Sequence, residues 1–198
     1  MGDALNEAAN LRAWRRAQRE RLVAERLVMP AEVHAAACAA VTAAIVARFA
    51  LPSLGRVGGY WPIRQEYDCL PLLRAAASAA LPVAIAPKQP LEFRPWTPEA
   101  RMERGDWDIS HPAEGSAVVP DTLLVPLVGF DAGGHRLGYG GGYYDRTLAA
   151  LTPRPITIGV GFELGRLESV RPQPHDIPMD YIVTEAGLFA SAPGTRRS

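Results

Sequence analysis

Between positions 4 and 28 there is neither proline nor glycine. Leu11, Trp14, Leu22 and Leu27 recur there near one face among charged residues, which predicts an amphipathic helix. Pro30 opens a second helix over 31–50, where ten of the twenty residues are alanine and Val33, Ala37, Val41, Ile45 and Phe49 recur at every fourth position. The short, aromatic, glycine-punctuated run 56–63 predicts a strand, 71–81 a helix, and 83–87 and 91–96 two further strands. Positions 97–121 mix proline, glycine and charge with little periodicity, so they are expected to be loop. The unbroken apolar run 123–128 has the pattern of a strand buried on both faces. A glycine-dense loop follows, then a helix over 142–151, a buried strand over 156–161, a proline-rich loop and a last short strand over 181–184. Strands alternating with helices predict an α/β fold of Rossmann-like type: one open, mainly parallel sheet flanked by helices on both faces.

Composition narrows this reading. A chain of 198 residues is expected to form a single domain over 1–198, with a frayed tail over 192–198. Its 21 basic and 21 acidic residues cancel, so no global field favours nucleic acid or an anionic membrane. Cys38 and Cys69 are too few for a disulfide framework and suit a reducing compartment. No apolar stretch of about 18 residues is free of charge. The arginine-rich start carries interspersed acids, unlike a transit peptide, so a cytoplasmic protein, monomeric, is expected. Lys88 is the single lysine among the 21 basic residues, the other 20 being arginine, so lysine-dependent chemistry must use it or is excluded.

The chemistry concentrates in one segment. Seven of the fourteen residues from Gly129 to Gly142 are glycine, between a buried strand and a helix. In an open α/β sheet that loop lies at the carboxyl ends of the strands, where ligands bind. Successive glycines point several N–H groups into one concavity, and the helix N-terminus adds partial positive charge. The result is an anion cradle suited to a phosphate chain. The dinucleotide pattern fails because Tyr143 stands where its last glycine belongs, and the P-loop pattern fails because no lysine follows. Arg136 and Arg146 can supply the missing charge as planar forks, and Asp145 is the natural ligand for a Mg²⁺ accompanying a triphosphate. The blander alternative is a glycine-rich turn braced by an ion pair among Arg136, Asp145 and Arg146.

The run Arg136-Leu-Gly-Tyr-Gly-Gly-Gly-Tyr-Tyr-Asp145, preceded by Pro126-Leu-Val-Gly-Phe-Asp131, resembles the hallmark segment of the 5-formyltetrahydrofolate cyclo-ligase (5,10-methenyltetrahydrofolate synthetase) family. Tyr60-Trp-Pro-Ile-Arg-Gln-Glu66, His175-Asp-Ile-Pro-Met-Asp180 and the Leu11-Arg12 pair resemble three other stretches of that family, in order along the chain. The resemblance implies conversion of 5-formyltetrahydrofolate and MgATP to 5,10-methenyltetrahydrofolate, ADP and phosphate. It implies that Arg12 and Arg136, Leu137, Gly138, Tyr139, Gly140, Gly141, Gly142, Tyr143 and Tyr144 contact ATP. By the same resemblance Trp61, Glu66 and Tyr139 through Tyr143 border the folate, and Asp145 and Asp180 hold Mg²⁺. Catalysis is assigned to Arg136, Tyr143 and Asp145. Two departures stand out. Ala8 occupies a position where the family often has lysine, for which Arg15 or Arg16 is the candidate substitute, and His111 stands where glutamate is expected.

Other residues have two readings each. His34 and Cys38 have a zinc-compatible spacing but no further ligands nearby, so packing is the better expectation. His175 and Asp176 either orient the Asp180 segment or anchor a loop. Glu66 can accept N–H groups of a pterin or pair with Arg64 or Arg74 on the surface. Tyr60, Trp61 and Trp96 are pterin platforms or core aromatics. A rival function is a nucleotide- or folate-binding relative without catalysis, motivated by Ala8. An isomerase- or CoA-transferase-like protein sharing only the sheet is a second rival.

Overall fold

The computed structural model describes residues 2–191, so the expected fraying of 192–198 lies outside the described residues. The described residues form four α-helices: α1 (Gly2–Leu27), α2 (Ala31–Arg48), α3 (Leu70–Ala75) and α4 (Tyr143–Ala150). Three strands precede a small hairpin: β1 (Arg56–Gly58), β2 (Ser78–Val83), β3 (Glu92–Trp96), then β4 (Met102–Arg104) and β5 (Ser110–Pro112). Next come β6 (Thr122–Pro126), the ribbon β7 (Gly129–Phe130) and β8 (Arg136–Leu137), and finally β9 (Ile156–Val160), β10 (Tyr181–Thr184) and β11 (Gly187–Ala190).

Seven strands form one sheet in the order β11-β10-β9-β6-β1-β2-β3. The five inner strands are parallel, and only the edge strands β3 and β11 run antiparallel to their neighbours. Along β6, Leu124 enters the core under α2 and α3, while Leu123 and Val125 enter the opposite core with Leu148 of α4. Both faces are therefore covered, which is why β6 reads as an unbroken apolar run. From β1 the chain passes through α3 to β2 on one side, whereas β6 passes through α4 to β9 on the other. The strand order thus reverses between β1 and β6, and a crevice opens there at their carboxyl ends.

Several boundaries differ from the sequence pattern. The helix expected over 71–81 stops at Ala75, and Ser78–Val83 is a strand in place of 83–87. Helix propensity of an alanine run is weak against tertiary pairing: Ala79 and Ala80 register with Val57 and Gly58 of β1 and are buried on opposite faces. The strand expected over 56–63 ends at Gly58, after which Tyr60 and Trp61 turn to wall the crevice. Within 97–121, expected to be loop, β4 and β5 pair as a hairpin. The edge strand β11 and the ribbon β7–β8 were too short to produce a period in the sequence.

α2 has the length and apolar composition of a membrane-crossing helix, yet its Ala37, Val41 and Ile45 stripe packs on the sheet. Ile45→Ala leaves a cavity at a site with 0% exposure, so unfolding free energy is expected to fall by about 2–5 kcal/mol in urea titration. A loss below about 1 kcal/mol would show that this stripe does not carry the α2–sheet contact.

Candidate active site

A cavity of about 710 Å³ occupies the crevice. Its floor is the carboxyl ends of the central strands, through Pro126 at the end of β6, Pro82 of β2, and Tyr60 and Trp61 beyond β1. The loop Gly138–Gly142 and the first turn of α4 form one wall, Arg15 and Arg19 of α1 another, and the β4–β5 hairpin with Trp107 and His111 a third. A shallower cavity of about 410 Å³, between Asn6 and Leu11 of α1 and Arg171 and Gln173, contains none of the expected site residues.

The glycine loop takes backbone conformations that side chains resist, with φ of +94° at Gly140 and +65° at Gly142. Gly142 directly precedes α4, no side chain caps that helix, and its first turn, whose amides have no intrahelical partner, lines the cavity. A Cβ on Gly138 would meet nothing within 4 Å, and one on Gly140 would meet the Arg19 guanidinium at 3.4 Å. Arg19 donates from Nε to the Gly138 carbonyl at 2.6 Å. Burial, then the like charge of Arg15, pull Arg19 below its usual range, while Asp176 acts in the opposite sense. An anion entering here meets a half-desolvated guanidinium beside open main-chain amides.

Most expected residues do converge on this cavity: Trp61, Glu66, Arg136, Gly138, Tyr139, Gly140, Gly141, Gly142, Tyr143, Tyr144 and Asp145 all line it. Three do not. Arg12 is exposed on α1 and outside the wall; Arg15 and Arg19, one and two turns further along, take that place. Leu137 is 1% exposed and packs with Leu22 and Val128, because the side chains of β8 alternate and Arg136 takes the cavity side. Asp180 does not line the cavity that Asp145 faces. It stands before β10, where its carboxylate accepts the Thr157 N–H and hydroxyl, each at 2.8 Å, at the amino end of β9.

The ion pair of the blander reading is real as well. Arg136 Nη2 lies 2.9 Å from Asp145 Oδ2, and the second Asp145 oxygen accepts the Ile177 N–H at 3.1 Å. Arg146 stands apart from that pair, donating to the Gly141 carbonyl at 2.6 Å and lying over the Tyr143 ring. Of the candidates for the Ala8 position, Arg15 faces the cavity, whereas Arg16 is exposed toward Glu20. Arg15 meets Asp176 at 2.5 Å and donates to the Val170 and Arg171 carbonyls, tying the 170–176 loop to α1. His175 lines the cavity with its side chain exposed.

Glu66 is 4% exposed, so the surface pairing considered for it is excluded. Burial raises its pKa, against the opposing effects of the Ile63 N–H, the charge of Arg26, the Tyr139 hydroxyl and Arg64. His34 is explained without metal: its ring meets the Glu66 carbonyl at 3.1 Å and the Phe162 ring edge-on, anchoring the turn that carries Glu66. Among the described residues no group of three or more potential ligands comes together. Trp96 belongs to the core, and Lys88 is exposed away from the cavity.

Three residues escaped the sequence reading: Arg19 of the cavity wall, Arg26 and Trp107. Arg26 is 3% exposed, and its only signal was a position one turn beyond Leu22 on the same stripe of α1. Trp107 sits at the hairpin tip, 67% exposed, with its ring edge-on to Tyr143 at 5.4 Å. Its segment lacked any period that would have placed it opposite the glycine loop.

The Arg15–Asp176 strap has a pH signature. Burial pushes the Asp176 carboxyl up, but the Arg15 hydrogen bond, the Gln173 N–H and the charges of Arg15 and His175 outweigh it and hold the group below its ordinary value. Its stabilising contribution is therefore complete above the unfolded aspartate pKa and disappears as pH falls through the lower folded value. Carboxyl NMR titration is expected to place Asp176 below ordinary aspartates, and Arg15→Gln to move it upward. An unmoved midpoint would contradict the strap.

A family model for the 5-formyltetrahydrofolate cyclo-ligase family matches residues 11–185. Over 94 residues the chain is 34% identical to the 5-formyltetrahydrofolate cyclo-ligase of Haemophilus influenzae, covering 45% of this chain and 49% of that protein. Over 73 residues it is 42% identical to the Mycolicibacterium smegmatis 5-formyltetrahydrofolate cyclo-ligase, covering 35% and 37%. The chain thus spans half or less of the length of these curated relatives. The NMR structure of Aquifex aeolicus 5,10-methenyltetrahydrofolate synthetase superposes with a TM-score of 0.79 at 26% identity, over 93% of this chain and 96% of that one. The Mycoplasma pneumoniae 5,10-methenyltetrahydrofolate synthetase shares the fold, with a TM-score of 0.70 at 23% identity over 86% and 98%. With the family's model matched over residues 11–185 and the fold shared with a solved 5,10-methenyltetrahydrofolate synthetase, the chain belongs to the 5-formyltetrahydrofolate cyclo-ligase family.

Proposed function

We propose that this protein closes the imidazoline ring of 5-formyltetrahydrofolate at the expense of ATP, giving 5,10-methenyltetrahydrofolate, ADP and phosphate. The observation that carries this reading is that one cavity joins a glycine cradle at a helix N-terminus to a buried carboxylate among aromatic side chains. The first is suited to a triphosphate, the second to the amino and N–H edge of a pterin.

The chemistry follows from a poor leaving group. The formyl oxygen attacks the γ-phosphorus and the bond to the β-phosphate oxygen breaks, releasing ADP. N10 then attacks the formyl carbon and loses its proton, and the carbon–oxygen bond breaks with phosphate leaving. Phosphoryl transfer asks chiefly for positioning and charge stabilisation. The open amides of Gly138–Gly142 and Arg19 hold the phosphates. Arg136, fixed by Asp145 at 2.9 Å and 6% exposed in its side chain, meets charge that develops during transfer. Tyr143 and Trp107, edge-to-face across the cavity mouth, close around the reacting groups. Glu66 and Trp61 hold the folate.

A Mg²⁺ accompanying ATP fits Asp145, the carboxylate beside the cradle, because Mg²⁺ is usually held by one or two carboxylates together with substrate phosphates. When bound it supplies neutralisation of the phosphate oxygens.

Mixing the protein with 5-formyltetrahydrofolate, ATP and Mg²⁺ is expected to generate the absorbance of the methenyl product. Binding of both substrates without any product would favour the non-catalytic relative. For Arg19→Ala, the KM for ATP is expected to rise about tenfold, consistent with loss of one charge-assisted contact, with a smaller change in KM for folate. An unchanged ATP KM would remove Arg19 from the nucleotide site.

A further inference from the structure

We propose, resting on the phosphoryl-transfer reading above, that Arg64 is a further catalytic residue: its guanidinium meets the phosphoryl group in transit between the glycine loop and the folate. It is the one arginine lining the cavity, among the described residues, that comes from the turn after β1.

Four arginines line the cavity among the described residues: Arg15, Arg19, Arg64 and Arg136. Three are committed to the protein. Arg15 meets Asp176 at 2.5 Å, Arg136 meets Asp145 at 2.9 Å, and Arg19 donates to the Gly138 carbonyl at 2.6 Å. Among the described residues no carboxylate or carbonyl is paired with the guanidinium of Arg64, which instead lies over the Tyr139 ring, its Cζ 5.3 Å from the centroid. Tyr139 stands between Gly138 and Gly140 of the cradle. Arg64 therefore starts on the turn that carries Glu66 and ends against the loop that holds the phosphates. A cation resting on an exposed ring is held more weakly than one in a charge-assisted hydrogen bond, so an arriving phosphate oxygen takes it over.

The backbone beneath this side chain is unusual. Arg64 and Gln65 have φ of +49° and +54°, left-handed conformations that residues other than glycine adopt at a cost and that persist only where the surroundings enforce them. Here both neighbouring helices do so. Arg26 of α1 donates to the Arg64 carbonyl at 2.9 Å, and Gln65 Nε2 donates to the Leu27 carbonyl at 3.0 Å. His34 of α2 meets the Gln65 and Glu66 carbonyls at 3.2 and 3.1 Å, and the Glu66 N–H closes the turn on the Ile63 carbonyl at 2.9 Å. The main chain at Arg64 is thereby fixed, while its exposed side chain is free to turn from ring to ligand. During transfer the charge is spread over three equatorial phosphoryl oxygens, and a planar fork of donors suits a pair of them. Arg136, clamped by Asp145, serves from a fixed position, and Arg64 comes to the same group from the β1 side.

Arg64→Ala truncates an exposed side chain and keeps the carbonyl that Arg26 bonds, so its urea unfolding is expected to match the wild type. With 5-formyltetrahydrofolate, ATP and Mg²⁺, kcat is expected to fall about a hundredfold in Arg64→Ala, the scale of one lost transition-state donor. The KM values for both substrates are expected to stay near wild type, and Arg64→Lys to recover part of kcat. Calorimetry supplies a readout without turnover. ADP with aluminium fluoride, which mimics the phosphoryl group in transit, is titrated into protein saturated with 5-formyltetrahydrofolate. Its affinity advantage over ADP alone is expected to shrink about tenfold in Arg64→Ala, while the Kd values for ADP and for folate hold. An unchanged kcat, a rise confined to the KM for ATP, or a loss confined to folate affinity would each overturn the proposal. A wild type that yields no methenyl product overturns the functional reading and this assignment with it, whereas an active wild type beside an equally active Arg64→Ala overturns the assignment alone.

Discussion

Three arginines on one helix hold the carboxyl edge of the sheet together by donating to main-chain carbonyls. Arg15 ties the 170–171 segment, Arg19 the glycine loop at Gly138, and Arg26 both the 64–66 turn and the end of β6 at Leu127. These segments are loops without a period of their own, and each would be free to drift if its carbonyl faced water. Hydrogen bonds from charged donors are about twice as strong as neutral ones, so a single helix laid across the crevice can fix all four. The cavity is in this sense built by α1.

That arrangement also sets the electrostatics. Arg15 and Arg136 are matched by Asp176 and Asp145. Arg19, beside the glycine loop, donates to a carbonyl and stands next to the like-charged Arg15, with Asp176, already paired to Arg15, acting in the opposite sense. The anion-seeking part of the cavity is therefore local, in a protein whose formal net charge is zero. At the opposite end, Glu66 is enclosed by phenols, a thiol and Arg26, and burial raises its pKa. A molecule spanning the two ends needs a donor edge at one and phosphates nearby at the other.

The layered sheet was legible in the chain because buried parallel strands leave continuous apolar runs, as 123–128 does, and α2 repeats its core contacts every fourth residue. The glycine loop was legible because Gly140 and Gly142 occupy backbone conformations that few other residues tolerate. What stayed hidden depended on long-range contacts. The alanines at 79 and 80 look helical until β1 is placed beside them. Arg26 looks like a solvated helix charge until Leu127, Arg64 and Tyr139 converge on it. Arg12 and Asp180 fit the family's motifs, yet the helix turn and the strand end on which they stand leave them out of the cavity wall. Trp107 reaches the site only because a two-strand hairpin folds back over it.

The central claim is that main-chain amides of the glycine loop and the α1 arginines grip a triphosphate beside the folate pocket. A crystal structure with 5-formyltetrahydrofolate and a non-hydrolysable ATP analogue tests it most directly. The account predicts the phosphates against the amides of Gly138–Gly142 with Arg19 in contact, and the pterin edge on Glu66. Phosphates bound elsewhere, with that loop left in contact with solvent alone, would contradict it.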